Sequence, residues 1–315
     1  MITLLILYLI ISKLADKNIS HRWDGSPSLP YLSPEELGMK HTPFSFYSGK
    51  WKLYGDRYFL SEGPYKGVVV FFHGIGAGRN AYTRNILDFV NEGYLVYSYD
   101  YTGCMQSEGP KIYGLGIVNQ DIKAFFAFLD KDEQAKGLKR YSIGHSWGGY
   151  TALMSCRNEY HIEKCVSMSG FNSPLGEFIS MAPILKNPIL RFLVRTKFRL
   201  ELGENGNVSA VNVLSKSSTK VLYIGGSRDT MVPSSASSDI LKKELGDNKG
   251  LLTYYQVNDR GHQCYLTKES EAYLNSLGKQ GIGKIDSPIG LTMDPYKATE
   301  EDPEVKKTII HFFAS

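Results

Sequence analysis

Five short runs without a single charge (68–72, 94–99, 141–143, 165–168 and 221–224) recur through the middle of this chain and limit what it can fold into. Runs that are apolar throughout, rather than alternating apolar and polar, indicate strands covered on both faces. Between them, 82–91, 118–129, 146–156 and 235–245 have helical spacing. Strands alternating with helices imply a mostly parallel sheet with right-handed crossovers and helices on both faces. A further strand is predicted at 251–257 and a last helix at 303–313, where Asp302 stands in the N-cap place and Pro303 at the first helical position. Ahead of the series, 44–48 and 51–60 are rich in aromatics and separated by Gly49 and Lys50, which suits an antiparallel hairpin.

The 315 residues leave room for two small domains or one large one. The order of elements places an α/β domain at 44–315 behind an apolar segment and a turn-rich connection at 1–43. Two stretches fall outside the series: a cap insertion at about 171–217 and a second insertion at about 266–301. A net charge of +4 over this length is too small to argue for nucleic acid. Cys104, Cys156, Cys165 and Cys264 have neither CxxC spacing nor a His pair at finger-like intervals, so they read as free thiols with no metal site. A bridge between Cys104 and Cys264 stays open, because both fall on loops that the topology brings near one another.

Gly144, His145, Ser146, Trp147 and Gly148 spell GxSxG, directly after the strand at 141–143 and directly before a helix. A serine on such a sharp turn needs small neighbours, and it would point out at the carboxyl edge of the sheet. A hydroxyl is a poor nucleophile until a base takes its proton near neutral pH, which is a histidine's property. Of the seven histidines, only His262 stands in the loop directly after the last strand, beside Gly261; His311 falls in the final helix. The base in turn needs an acid to hold its tautomer, and Asp229, just past the strand at 221–224, lies between Ser146 and His262 in chain order. Charge developing on a carbonyl oxygen needs preset N–H donors. The amides of Trp147, after the serine, and Ile75, in the glycine-rich loop after 68–72, are assigned to that task, with Gly74 supplying the backbone freedom to turn the Ile75 amide inward.

With the His73-Gly74 loop, the Ser146 elbow, the DxxVP turn at Asp229 and the late His262 in this order, residues 44–315 resemble the α/β-hydrolase superfamily. Within it they look most like the serine aminopeptidase, monoacylglycerol lipase and lysophospholipase-like group. The resemblance implies a serine hydrolase working through an acyl-enzyme without metal or organic cofactor, with a carboxylic ester as the expected substrate and a thioester or short peptide as the alternative. One departure lies at 100–109, where relatives often read D-x-R-G-x-G-x-S-x-G and this chain has Thr102 and Met105 for the arginine and the second glycine. A dinucleotide-binding reading of Gly74, Gly76 and Gly78 fails because Arg79 stands where the third glycine is required. A non-catalytic binding module on the same fold is disfavoured by the complete set of three residues.

The cap insertion is strongly apolar and is expected to line an acyl pocket through Met181, Ile184 and Leu185, with Tyr265 at the rim; simple packing of the cap on the body is compatible with the same residues. Pro288 and Tyr273 of the second insertion fall near that rim. Arg191, Arg195 and Arg199 recur every four residues, on one helical face with Lys197 nearby, which reads either as a solvated face or as a contact for anionic headgroups. The run at 1–11 would reach only about 16 Å as a helix, roughly half a hydrocarbon core. It reads as a helix docked on the body, a shallow anchor or an atypical signal. A cytoplasmic or peripherally membrane-associated protein acting on a small-molecule ester is the expectation; oligomeric state is not readable.

Overall fold

The computed structural model describes residues 2–18, 20–248, 250–281 and 292–315; part of the second insertion, with Pro288, lies outside the described residues. Eight strands form one sheet: β1 (Lys40–Ser48), β2 (Trp51–Phe59), β3 (Val68–Phe72), β4 (Leu95–Tyr99), β5 (Arg140–His145), β6 (Ile162–Met168), β7 (Lys220–Gly226) and β8 (Leu252–Val257). Their order is β1-β2-β4-β3-β5-β6-β7-β8. The hairpin β1–β2 turns at Gly49-Lys50, β2 runs antiparallel to β4, and every pairing from β4 to β8 is parallel. The helices are α1 (Ile2–Asn18), α2 (Thr83–Asn91), α3 (Val118–Leu129), α4 (Trp147–Ser155), α5 (Pro174–Met181), α6 (Pro188–Leu202), α7 (Ala210–Leu214), α8 (Ser238–Leu245), α9 (Lys268–Lys279), α10 (Pro295–Ala298) and α11 (Pro303–Ala314).

The two-residue period of a strand divides β3 between two cores. Val68, Val70 and Phe72 join one cluster with residues of α3 and α4, while Val69 and Phe71 join another with residues of α2 and α11. All five are fully buried, as continuous apolar strands of a parallel sheet must be. The last helix starts where the sequence signals it, since the Asp302 carboxylate accepts from the Glu304 and Val305 amides at 3.0 and 3.3 Å.

The turn-rich connection is not a loose surface link. Leu32 and Met39 are buried, and Arg22 reaches across to donate to the carbonyls of Ser107 (2.8 Å), Gly109 (2.9 Å) and Met105. Trp23 and the 100–109 loop also exchange main-chain bonds, Trp23 N to Gly103 O and Met105 N to Trp23 O. The loop therefore keeps its turn without the family arginine. Thr102 in that place bonds Asp121 at 2.9 and 2.8 Å, and Met105 takes the positive φ of 46° that a glycine would adopt more cheaply. A guanidinium from a distant segment ties down a strained turn that its own residues hold poorly.

Cys104, Cys156, Cys165 and Cys264 are free thiols, as expected, and buried, and no bridge joins Cys104 to Cys264: the first pairs its main chain with Trp23 and the second lies against Ser169. Lys197 does not share the arginines' face, because its ammonium turns inward to Asp16 and Glu201, both at 2.9 Å.

Candidate active site

The turn at residue 146 begins with a steric demand. Ser146 has φ 59° and ψ −119°, outside the region most side chains tolerate. The strand and helix it joins are so close that a Cβ on Gly144 would stand 2.2 Å from the Gly148 carbonyl oxygen, and one on Gly148 would stand 2.0 Å from that of Phe72. Both glycines of the motif are thus set by the approach of α4 to β3 and β5. The strained turn is anchored by the Ser146 amide, which donates to Met168 O at 2.8 Å.

At the carboxyl edge of the sheet, Ser146 meets His262 from the loop after β8 and Asp229 from the loop after β7. Ser146 Oγ donates to His262 Nε2 at 2.8 Å, and His262 Nδ1 donates to Asp229 Oδ2 at 2.9 Å. Asp229 also accepts from the Met231 and Val232 amides at 3.0 and 2.9 Å. Burial pushes the Asp229 carboxyl up, but the hydrogen bond and charge of His262 with the Val232 amide outweigh it and hold the group below the usual carboxylate range. Asp229 is therefore an anion able to stabilise an imidazolium, and a proton leaving the hydroxyl has a path onto Nε2.

The loop after β3 closes the other side. A Cβ on Gly74 would lie 3.6 Å from that of Ser146 and 2.7 Å from the Tyr82 hydroxyl, so glycine here is a matter of close approach. The positive φ values belong instead to Gly76 (78°) and Gly78 (61°), which corrects the conformational role expected of Gly74. Among the described residues, neither the Ile75 nor the Trp147 amide donates to another group, which is what a donor reserved for a substrate oxygen requires. His73 is a structural partner: its Nδ1 donates to Gly74 O at 2.7 Å and its Nε2 accepts from the Tyr101 amide at 3.2 Å.

His145, the variable residue inside the motif, ties the three loops together. Burial, and then the charge of neighbouring His262, push it down to about 3, so it is neutral throughout the working range. Its Nε2 donates to the main-chain oxygen of His262 at 2.9 Å, and its Nδ1 accepts from Tyr82 Oη at 3.0 Å; that hydroxyl accepts from the Gly74 amide at 3.2 Å. Ser169 Oγ adds a second bond to His262 O at 3.0 Å, and Glu271 takes the amides of Gly261 and Gln263. Tyr82, Ser169 and Glu271 are not readable from the sequence as site residues, since no motif marks them: Ser169 bonds a main-chain oxygen 93 positions away, and Tyr82 and Glu271 bond amides 8 to 10 positions away across irregular loops.

The expected pocket residues are not brought together. Met181 and Ile184 stand 58% and 71% exposed, and Leu185 is buried in the main core cluster. Tyr265 is a core residue rather than a rim residue, packed behind the site with its ring 4.9 Å from His145. A cleft of about 260 Å³ runs beside Asp229 between β7, β8 and α8, lined by Ser227, Ser234, Ser237 and Lys242; Ser146 and His262 do not line it. Glu177 of α5 is buried close enough to feel the Asp229 charge; burial first, then that charge, push its carboxyl up to about 8.

A parallel sheet flanked by helices, with a serine on a strained strand-to-helix turn, is the fold of the α/β hydrolases. More narrowly, residues 63–216 match the family described as serine aminopeptidase, S33. The chain is 26% identical over 135 residues to caffeoylshikimate esterase of Arabidopsis thaliana, a match spanning 42% of this chain and only 40% of that protein. Among solved structures it superposes on the Pyrococcus furiosus esterase Pf2001 with a TM-score of 0.61 at 18% identity, covering 82% of this chain and 97% of that one. It also superposes on Pyrococcus horikoshii acylaminoacyl peptidase with a TM-score of 0.54 at 16% identity, covering 84% of this chain and 44% of the other. These structural likenesses concern the fold.

Proposed function

We propose that this hydrolase cleaves carboxylic esters by acyl transfer. Ser146 attacks the carbonyl carbon, His262 accepts the serine proton and returns it to the leaving group, and Asp229 orients and stabilises the charged imidazole. The amides of Ile75 and Trp147 hold the oxyanion. The observation that carries this reading is the unbroken line Ser146 Oγ, His262 Nε2, His262 Nδ1, Asp229 Oδ2, with bonds of 2.8 and 2.9 Å, on a turn whose strain presents the hydroxyl. The esterase names among its relatives support an ester substrate.

Amide cleavage on the same three residues is the second reading, favoured by the serine aminopeptidase family match and the acylaminoacyl peptidase likeness. Hydrolysis of p-nitrophenyl esters from short to long acyl chains, with Ser146→Ala as the blank, tests the first reading. Turnover that needs Ser146 supports it, and the chain-length optimum sizes the pocket. No turnover on any ester, together with cleavage of aminoacyl anilides, would replace it with the second.

A further inference from the structure

Among the described residues, nine of the thirteen exposed large hydrophobic side chains lie on α1 or between Met181 and Leu200. The two helices concerned, α1 and α6, pack against each other. The outward side of α1 carries Ile6, Leu9, Ile10, Lys13, Leu14 and Lys17, all exposed. That of α6 carries Ile189, Arg191, Phe192, Arg195, Arg199 and Leu200, also exposed. Each helix has one acid, Asp16 in α1 and Glu201 in α6, the first part-exposed and the second mostly buried, and both are engaged by lysines between the helices. Both turn inward to the same two lysines: Lys197 bonds Asp16 and Glu201 at 2.9 Å each, and Lys111 bonds them at 2.9 and 2.6 Å. The charges are thus sorted. Acids are consumed in holding α1 to α6, while the outer faces keep apolar and cationic side chains alone.

A solvated face has no reason to exclude acids or to leave Phe192 65% and Leu200 71% exposed. A lipid surface with anionic headgroups accounts for both features, because alkyl and aromatic side chains enter the acyl boundary while Lys and Arg meet the phosphates. We propose that the outer faces of α1 and α6 form one docking surface for an anionic phospholipid bilayer, which the protein contacts without spanning. Among the described residues, no helix is long and apolar enough to cross a membrane. Docking in this way brings the cap insertion and the segment after α1, whose Trp23 packs on Gly76 of the loop beside Ser146, up to the lipid.

The experiment is vesicle flotation of the full chain carrying Ser146→Ala, so that binding is read without hydrolysis and independently of the proposed chemistry. Partition onto mixed phosphatidylglycerol–phosphatidylcholine vesicles is expected, with little onto phosphatidylcholine alone, and it should weaken as ionic strength rises from about 0.1 to 1 M. Each cationic residue near an anionic surface contributes about five-fold in partition, so Arg191→Gln, Arg195→Gln and Arg199→Gln together should lower it about a hundred-fold. Ile6→Ser with Leu9→Ser should lower binding at both salt concentrations. These substitutions in an otherwise native Ser146 chain should leave turnover of a short soluble ester unchanged, which shows that the variants fold. No partition onto either vesicle, partition indifferent to the arginines in a folded variant, or a stable dimer that Ile6→Ser and Leu9→Ser dissociate would overturn the proposal.

Discussion

Two buried charge clusters sit at the same edge of the sheet, one on each side of Ser146, and they do opposite things. On one side Asp229 holds His262; on the other Arg79, from the loop after β3, is clasped between Asp56 at 2.8 Å and Asp100. Burial opposes the charge on Arg79, but Asp100 and Asp56 more than reverse this and raise its already high value further. An arginine so placed never releases its proton, so that cluster is a permanent brace between the loops after β3 and β4. A histidine in the corresponding place, as His262 is, can pass a proton on, which is what the proposed mechanism asks of it. A carboxylate buried beside an active serine is therefore read by its partner, since only a titratable partner can pass a proton on.

The comparison breaks most decisively at the serine. Ser146→Ala should lower kcat by about 10⁶ if every turnover passes through an acyl-enzyme; retained ester turnover in burst-free steady-state assays would end the mechanism. Asp229→Asn should lower kcat by about 10⁴ while leaving the melting temperature nearly unchanged, because the amide holds the wrong tautomer of His262 without disturbing the fold.

Arg79→Met tests the brace. It leaves Asp100 buried without its cation and Asp56 with His41 alone, and should cost about 3–5 kcal/mol of stability by chemical denaturation. If Asp229→Asn proved the more destabilising and Arg79→Met the more inactivating in folded protein, the two clusters would have been assigned the wrong way round. Tyr82→Phe sharpens the picture on the relay side: losing one hydroxyl between Gly74 and His145 should cost about tenfold in kcat with KM little changed.

The smallest effect concerns pH and Glu177. Its folded value of about 8 stands above the ordinary 4.5, so the native state holds a proton that the unfolded chain has released. Stability contributed by the neutral form is fully present below the ordinary value and is lost as pH rises toward about 8. Glu177→Gln should flatten the decline in melting temperature between those two values, whereas an unchanged decline would place its cause elsewhere.

Much of the fold and of the candidate site is legible in the order of residues. The charge-free runs correspond to β3 to β7 with shifts of a few residues at most, as continuous apolar strands do when helices cover both faces. Ser146, Asp229 and His262 are readable because each stands just past a strand and their order follows from the topology. The pocket is less legible. Met181 and Ile184 are apolar in sequence whether they line a cavity or face outward, and only packing separates those cases.

Short-range chemistry accounts for the features that the chain encodes locally: the alternation of strands and helices, the crowded glycine turn that exposes Ser146, and the Asp302 cap of α11. Contacts between residues far apart in the chain were settled by tertiary folding instead. His145 bonds the oxygen of a residue 117 positions away, Arg22 supports a loop more than 80 positions on, and Lys197, besides its helical neighbour Glu201, meets Asp16 181 positions away. No local pattern encodes these pairings. They arise because the buried polar groups brought together by closing the sheet must each find a partner, and that partner is whichever group the fold has placed within reach.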